Sequence, residues 1–167
     1  DACAELAGRQ IDFVCDIVGD GPLRETLQAK IESLDLASRV NLLGSLSQGA
    51  VLEKLQAADI FALASTTDTQ GATDVFPTVI LEAMAYGLPI ISTPVFGTLE
   101  QVREQVNGEF YESGNVAQLA SKIENLILDQ SKRDLYRRNA PFVLESLPGF
   151  DEMVRRYAEV FNESAAT

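Results

Sequence analysis

Short apolar runs alternate with segments of helical periodicity along the first two thirds of the chain. Short apolar runs predict buried strands, and apolar residues that recur every three or four positions predict amphipathic helices. The predicted strands cover residues 11–18, 40–43, 60–63 and 90–92. The predicted helices cover residues 22–34, 47–55 and 77–86, with Ser47 as the cap of the second. This alternation predicts an α/β fold in which a parallel sheet carries helices on both faces.

The last third of the chain is predicted to be helical. Apolar residues at helical spacing cover 116–128, and a more polar helix covers 132–139, which Pro141 is expected to end or kink. A third helix is expected over 150–161, with Met153, Tyr157, Val160 and Phe161 on its apolar side. At the other end, residues 1–10 have the pattern of the end of a helix that no strand precedes.

The composition is that of one globular domain. With 167 residues, 46% of them hydrophobic, the chain is long enough to bury a sizeable core. Its net charge of −12 argues against nucleic-acid partners and anionic membrane surfaces, because both bind basic patches. The absence of histidine excludes Ser-His-Asp and Cys-His nucleophilic sites and argues against a zinc enzyme.

The two cysteines, Cys3 and Cys15, are too few for a disulfide framework or a metal site. Cys15 falls within the predicted strand 11–18, where we interpret it as a small buried hydrophobic residue. Reduced thiols and the absence of an export signal indicate a cytoplasmic location.

One carboxylate stands out because its neighbours are apolar. Glu82 lies in the predicted helix 77–86, whose other side chains are apolar nearly all the way round. A helix of this kind is usually buried, and an unpaired buried carboxylate costs several kcal/mol. A polar partner such as a ligand hydroxyl is therefore expected at Glu82. The alternative is that Thr78, Glu82 and Tyr86 form a narrow stripe that faces solvent.

The surroundings of Glu82 resemble a known family. Seven residues separate Asp74 from Glu82, and Ala-Met-Ala, Gly-Leu-Pro and the strand 90–92 follow. This arrangement resembles the donor-binding half of the retaining glycosyltransferases of family 4, or group 1, which have the GT-B fold; their first acidic residue is usually Glu. Further segments match that half in order: 17–23, 39–44, 57–63, 107–108 and 114–119.

The resemblance implies a fold, a reaction and missing parts. The chain, 1–167, is expected to be a single Rossmann-like donor-binding domain, one half of a GT-B fold. The N-terminal acceptor domain, the first strand of this domain and the cationic loop that clamps the donor diphosphate are absent from this sequence. The reaction implied is transfer of a sugar from a nucleotide diphosphate-sugar to an acceptor hydroxyl, with retention. No cofactor and no metal are expected, membrane association would involve only the missing domain, and this chain alone is expected to be inactive.

The resemblance also implies roles for individual residues. Glu82 would bind the two ribose hydroxyls, Asp74 would face the transferred sugar, and these two are the expected catalytic residues. In open parallel sheets, ligands bind beyond the carboxyl ends of the strands. The expected donor-binding residues at these ends are Gly19, Gly21, Leu43, Gly44, Leu46, Ser65, Phe76, Pro77 and Thr78. In the alternative interpretation, Gly19 and Gly21 only form a tight turn, and Ser65 is an ordinary loop residue.

Other classes of protein stay open at this point. The fold could serve a non-catalytic nucleotide-sugar binding module, or another GT-B protein such as an epimerase or phosphorylase. A classical dinucleotide enzyme is disfavoured because the segment 19–24 lacks the third glycine of Gly-x-Gly-x-x-Gly. A receiver-like signalling domain is disfavoured because the segment 90–95 lacks a lysine.

Overall fold

The computed structural model of the protein describes residues 1–65, 76–95, 97–149, 152 and 155. Helices and strands alternate through the first part of these ranges, as predicted. The elements are α1 (Ala2–Gly8), β1 (Cys15–Val18), α2 (Arg24–Ser33), β2 (Val40–Gly44), α3 (Gln48–Ala57), β3 (Phe61–Leu63), α4 (Thr78–Ala85), β4 (Ile90–Ser92), α5 (Thr98–Gln101), β5 (Gly108–Phe110), α6 (Val116–Leu128) and α7 (Gln130–Glu145). No helix in these ranges is both long and apolar enough to cross a bilayer.

All strand pairs are parallel, which confirms the predicted class of sheet. β1 pairs with β2, and β3, β4 and β5 pair in that order. Within the described ranges, no ladder joins β1 to β3, so the strands form one sheet of two and one of three. Strands β1 and β3 therefore each have one edge without a described partner.

The core surrounds β4, and helices cover both of its faces. Successive side chains of a strand point to opposite faces. Ile90 packs with Met84 of α4, whereas Ile91 packs with Leu126 of α6, and all four side chains are fully buried. Burial of one such side chain contributes about 1.5–3 kcal/mol. The expected arrangement of helices on both faces is therefore confirmed.

The first strand is shorter and more exposed than predicted. It begins at Cys15, where the backbone N–H donates to the carbonyl of Arg39 at 2.7 Å, rather than at residue 11. The side chains of Val14, Ile17 and Val18 are 72%, 39% and 41% exposed. The prediction of a buried strand is therefore wrong here, because β1 pairs with β2 alone. Cys15 is likewise only partly buried.

The strand β5 is not among the elements that the sequence predicts. Gly108 begins this strand next to β4, and a Cβ at this position would collide with the carbonyl oxygen of Ile90. The residue type is thus required by the close approach of two strands.

Helix α7 is longer than predicted. It extends to Glu145 with Pro141 inside it, although the sequence predicted an end or kink at the proline. Ala140 and Val143, on either side of the proline, are fully or almost fully buried against α4. Tertiary packing therefore offsets the cost of an interior proline, which is about 3 kcal/mol. The predicted helix 150–161 and its apolar residues lie almost wholly outside the described residues.

A buried carboxylate joins β5 to both long helices. Glu109 is 2% exposed, and its carboxylate accepts hydrogen bonds from Lys122 of α6 at 2.7 Å, from Lys132 of α7, and from the Tyr136 hydroxyl at 3.1 Å. Burial acts to raise the pKa of Glu109, but the hydrogen bonds from the two lysines outweigh it, so the pKa is lowered. The ion cluster of Glu109, Lys122, Lys132 and Tyr136 therefore holds three elements together.

Candidate functional site

Two of the predicted glycines meet at the carboxyl ends of β1 and β2. The backbone N–H of Gly19 donates to the carbonyl of Gly44 at 2.8 Å. Their φ angles are 129° and 69°, a region that favours glycine over any residue with a side chain. Asp20 closes the turn by accepting a hydrogen bond from the Gly21 N–H at 2.9 Å. Leu43 and Leu46 flank Gly44 and are partly buried.

Arg24 lies over this glycine pair, and the sequence did not single it out. One guanidinium nitrogen donates to the carbonyl of Leu42 at 3.1 Å. Another would lie 3.1 Å from a Cβ built on Gly44, so the guanidinium covers this glycine directly. The nearest described carboxylate, on Asp20, is 4.0 Å away, and both side chains are about half exposed. Arg24 thus places a positive charge at the carboxyl ends of β1 and β2. In the sequence, this residue could have been noticed as a cation at the first position of α2.

Arg9, by contrast, is used elsewhere. Its guanidinium pairs with Glu5 at 2.6 Å and with Glu124 at 2.7 Å, so it connects α1 to α6.

Two buried hydroxyls fix the end of β3. Ser92 donates to the carbonyl of Leu63 at 3.1 Å, and Thr93 donates to the carbonyl of Ser65 at 2.5 Å. Both donors are almost fully buried, and the side chain of Ser65 is partly exposed. The backbone at Ser65 is therefore held against β4. Residues 66–75, which include Asp74, lie outside the described residues.

A buried amide supports the N-terminus of α4. Pro77 is the N-cap, and its carbonyl accepts a hydrogen bond at 3.1 Å from the side-chain nitrogen of Gln101. Gln101 is fully buried, and its side-chain oxygen has no hydrogen-bond partner among the described residues. Phe76 and Thr78, on either side of Pro77, are exposed. The first N–H groups of a helix have no partners within the helix, and negative charge is favoured at this end.

Glu82 lies on the open side of α4. Ile80, Ala83 and Met84 are fully buried, whereas Thr78 and Tyr86 are exposed and Glu82 is partly buried. The prediction of a largely enclosed helix is wrong, because only one side of α4 packs against the core. The Glu82 carboxylate has no hydrogen bond or ion pair to any residue of the described ranges. Thr78 and Tyr86 face solvent on either side of Glu82, and among the described residues no partner would compete with a ligand for this carboxylate.

The concavity described on the surface lies apart from the predicted site residues. An open concavity of about 440 Å³ lies at the junction of α6 and α7, and it contains none of the predicted site residues; its lining includes Asn125, Asp129 and Lys132. Over the part of the chain that the structure describes, no three cysteine, aspartate or glutamate side chains are grouped to hold a metal ion.

Several known sequences similar to this chain are named glycosyltransferases. The family model described as "Glycosyl transferases group 1" matches residues 1–142. The amylovoran biosynthesis glycosyltransferase AmsK of Erwinia amylovora is 33% identical over 135 residues, which cover 81% of this chain and 33% of that protein. The putative colanic acid biosynthesis glycosyltransferase WcaL of Salmonella typhimurium is 31% identical over 123 residues, or 74% of this chain and 30% of that protein. The chain thus spans about a third of the length of these relatives.

Solved structures show the same fold. HepE of Anabaena, determined in complex with UDP, has a TM-score of 0.77 and 28% identity, with 98% of this chain and 43% of that chain covered. TarM has a TM-score of 0.84 at 16% identity, with 96% of this chain and 31% of that chain covered, and this likeness concerns the fold alone. The parallel sheets with helices on both sides agree with these GT-B structures.

Proposed function

The chain belongs to the group 1 glycosyl transferases, and on that premise we propose that it forms the donor-binding half of an enzyme that transfers a sugar from a nucleotide diphosphate-sugar to an acceptor hydroxyl. The observation that carries the proposal is the family match over residues 1–142. The likeness to HepE, whose structures hold UDP and UDP-glucose, supports a nucleotide-sugar as the donor. The names of AmsK and WcaL support a growing polysaccharide or glycoconjugate as the acceptor, and we propose a cytoplasmic location.

In the proposed complex, the donor diphosphate binds between the glycine pair and the first turn of α4. Gly19 and Gly44 leave the backbone open to close approach, and the free N–H groups of α4 favour negative charge by about 0.3–1 kcal/mol or more. Arg24 supplies a positive charge at the carboxyl ends of β1 and β2. Leu43 and Leu46 border the base.

Glu82 is proposed to accept hydrogen bonds from the two ribose hydroxyls. The carboxylate is partly exposed, and no residue of the described ranges competes with the ribose for it. A hydrogen bond to a charged group contributes about 1.5–3 kcal/mol. Asp74 is proposed to face the transferred sugar, with the amides near Phe76, Pro77 and Thr78 holding the sugar hydroxyls.

The proposed chemistry depends on position and on stabilisation of the leaving group. Fixing donor and acceptor in a reactive geometry removes much of the entropic barrier, and preorganised dipoles stabilise the departing diphosphate. The proposed transfer retains the anomeric configuration and needs neither cofactor nor metal from this half.

We also propose that the intact protein supplies a further parallel strand between β1 and β3. Each of these strands has one edge without a described partner, and Ile17 and Val18 of β1 are exposed although the run is suited to burial. The remaining length of the relatives, about two thirds, leaves room for this strand and for an acceptor domain. The chain by itself would then lack transferase activity.

The proposal is tested by titrating UDP and UDP-sugars against the chain and against Glu82→Gln. We expect the variant to bind more weakly by about 1–3 kcal/mol, or roughly 5- to 150-fold, with its fold unchanged. Glu145→Gln, an exposed carboxylate at the far end of α7, is the matched control and should bind as the wild type does. Equal affinities of wild type and Glu82→Gln would refute the ribose contact.

The catalytic part of the proposal needs a separate assay. A protein extended to the full length of the relatives should transfer sugar from a nucleotide-sugar, and this chain should not. Transfer by the chain alone would contradict its assignment as half an enzyme.

A further inference from the structure

Two cysteines pack against one apolar cluster between α1 and β1, away from every group assigned to donor binding. Cys3 lies on α1 and Cys15 is the first residue of β1, and both pack against the apolar cluster of Ile31, Leu36 and Val40. Both are free cysteines, and both are intermediate in burial rather than enclosed in the core. The helix and the strand thus present one cysteine each to the same cluster.

The strand period holds Cys15 on the side of α1. Successive side chains of an extended segment point to opposite faces. Phe13 and Cys15 pack into the cluster, whereas Val14 and Asp16 are exposed. Asp16 pairs with Lys54 of α3 at 2.8 Å, which fixes the opposite face of the strand. The side chain of Cys15 therefore lies on the face of the strand that packs against the cluster, which Cys3 also contacts.

Each thiol changes the acidity of the other. A hydrogen bond with Cys15 lowers the pKa of Cys3 to about 7, and this effect exceeds the opposing effect of burial. The same hydrogen bond, together with burial, raises the pKa of Cys15. The thiolate is the nucleophilic form of cysteine. Cys3 is therefore the sulfur that attacks an oxidant near neutral pH, and Cys15 is the thiol that then attacks the oxidised Cys3.

We propose that Cys3 and Cys15 form a redox-active dithiol that closes to an intramolecular disulfide when a peroxide is present. The Cys3 thiolate attacks one peroxide oxygen and becomes a sulfenic acid, while the O–O bond breaks and the other oxygen leaves as water after gaining a proton. The sulfur of Cys15 then attacks the sulfur of Cys3. The S–S bond forms, and the sulfenic hydroxyl leaves as a second water with the proton of Cys15. Two thiols are oxidised and one peroxide is reduced.

The bond would tie α1 to the strand that leads into the glycine pair. Closing the short loop between Cys3 and Cys15 restricts the unfolded chain, so the oxidised protein is more stable than the reduced one. The constraint acts where β1 has a ladder on one edge only. Oxidation thus restrains β1, whose other edge has no partner among the described strands.

The test is oxidation of the purified chain with hydrogen peroxide at neutral pH, followed by alkylation and peptide mass spectrometry. The expected product is a monomer whose peptides with Cys3 and Cys15 are linked and whose mass is lower by two hydrogen atoms. Its thermal midpoint should be higher than that of the reduced chain and should fall back after dithiothreitol. Monomers in which both cysteines remain open to alkylation, or disulfides that form only between chains, would overturn the proposal.

Single substitutions test whether Cys3 and Cys15 react as a pair or as two independent thiols. In Cys15→Ala, Cys3 should stop at sulfenic acid, and in Cys3→Ala, Cys15 should stay reduced. The rate of alkylation of Cys3 should rise with pH around a midpoint near 7 in the wild type. In Cys15→Ala this midpoint should move up toward that of an ordinary thiol, about 8.5. Identical profiles for wild type and Cys15→Ala would show that the two sulfurs do not interact.

Discussion

Replacing Glu109 by glutamine tests how far the ion cluster stabilises the fold. The carboxylate of Glu109 is buried and accepts hydrogen bonds from Lys122, Lys132 and the hydroxyl of Tyr136. Glutamine keeps the shape of the side chain and one acceptor oxygen for the tyrosine. It loses the charge, and with it both charge-assisted hydrogen bonds.

The size of the effect follows from burial. Removing one member of a buried ion pair costs about 3–5 kcal/mol, because the other charge stays without its partner. Here the side chains of Lys122 and Lys132 are 24% and 30% exposed, so water can rehydrate them in the variant. We therefore expect Glu109→Gln to lower the free energy of unfolding by about 2–4 kcal/mol, in a domain whose total is on the order of 5–15 kcal/mol.

The effect should depend on pH in a defined direction. The pKa of Glu109 is lowered in the folded state, since hydrogen bonds from the two lysines outweigh the burial that would raise it. Such a group stabilises the fold above its unfolded pKa, about 4.3 for glutamate, and this stabilisation is lost as the pH falls through the folded pKa. The difference between wild type and variant should be constant between about pH 5 and 8 and should shrink below about pH 4.

Urea unfolding followed by far-ultraviolet circular dichroism measures both quantities. Glu104→Gln is the matched control, because Glu104 also faces Lys122, at 3.6 Å, but is 42% exposed. An exposed pair of this kind contributes about 0–1 kcal/mol. Equal losses in the two variants, or a loss at Glu109 that does not change with pH, would refute the reasoning.

Three further substitutions test local packing by the same unfolding assay. Gly108→Ala should cost several kcal/mol, because its Cβ would collide with the Ile90 carbonyl; a loss under about 1 kcal/mol would contradict that close approach. Ser47→Ala should cost about 1 kcal/mol, since the Ser47 hydroxyl accepts from the N–H of Ala50 at 3.3 Å, and no loss would mean that the cap contributes nothing. Pro141→Ala should instead stabilise α7 by about 1–2 kcal/mol by restoring a backbone donor, and a loss of stability would show that the proline ring itself packs favourably.

The sequence predicted the elements with strong periodicity and missed those set by distant partners. The strand at Ile90–Ser92 and the helix at Val116–Leu128 have the predicted bounds, because both are apolar where they meet the core. Strand β5 was missed because it is short and has a glutamate in its middle. Burial of Glu109 depends on lysines from two later helices, α6 and α7. The sequence around Glu109 does not reveal these partners.

The candidate site could be predicted in part. The glycines at positions 19 and 44 follow apolar strands, and the structure places them together at one end of the sheet. Arg24 was missed because its contact with Leu42 joins helix α2 to strand β2, and local sequence does not show such a contact. The prediction that Glu82 is enclosed was wrong, because an apolar sequence does not reveal which side of a helix has a neighbour. The role of Asp74 stays a prediction.

The open edge between β1 and β3 has a consequence for cooperativity. Residues in one continuous sheet open together, whereas elements linked by a few side-chain contacts can open separately and at lower free energy. Strands β1 and β2 connect to the remaining sheet mainly through α1 on α6 and through the pair of Lys54 with Asp16. The amides of Ile17 and Leu42 should therefore exchange with solvent faster than that of Ile91, as two cooperative units rather than one.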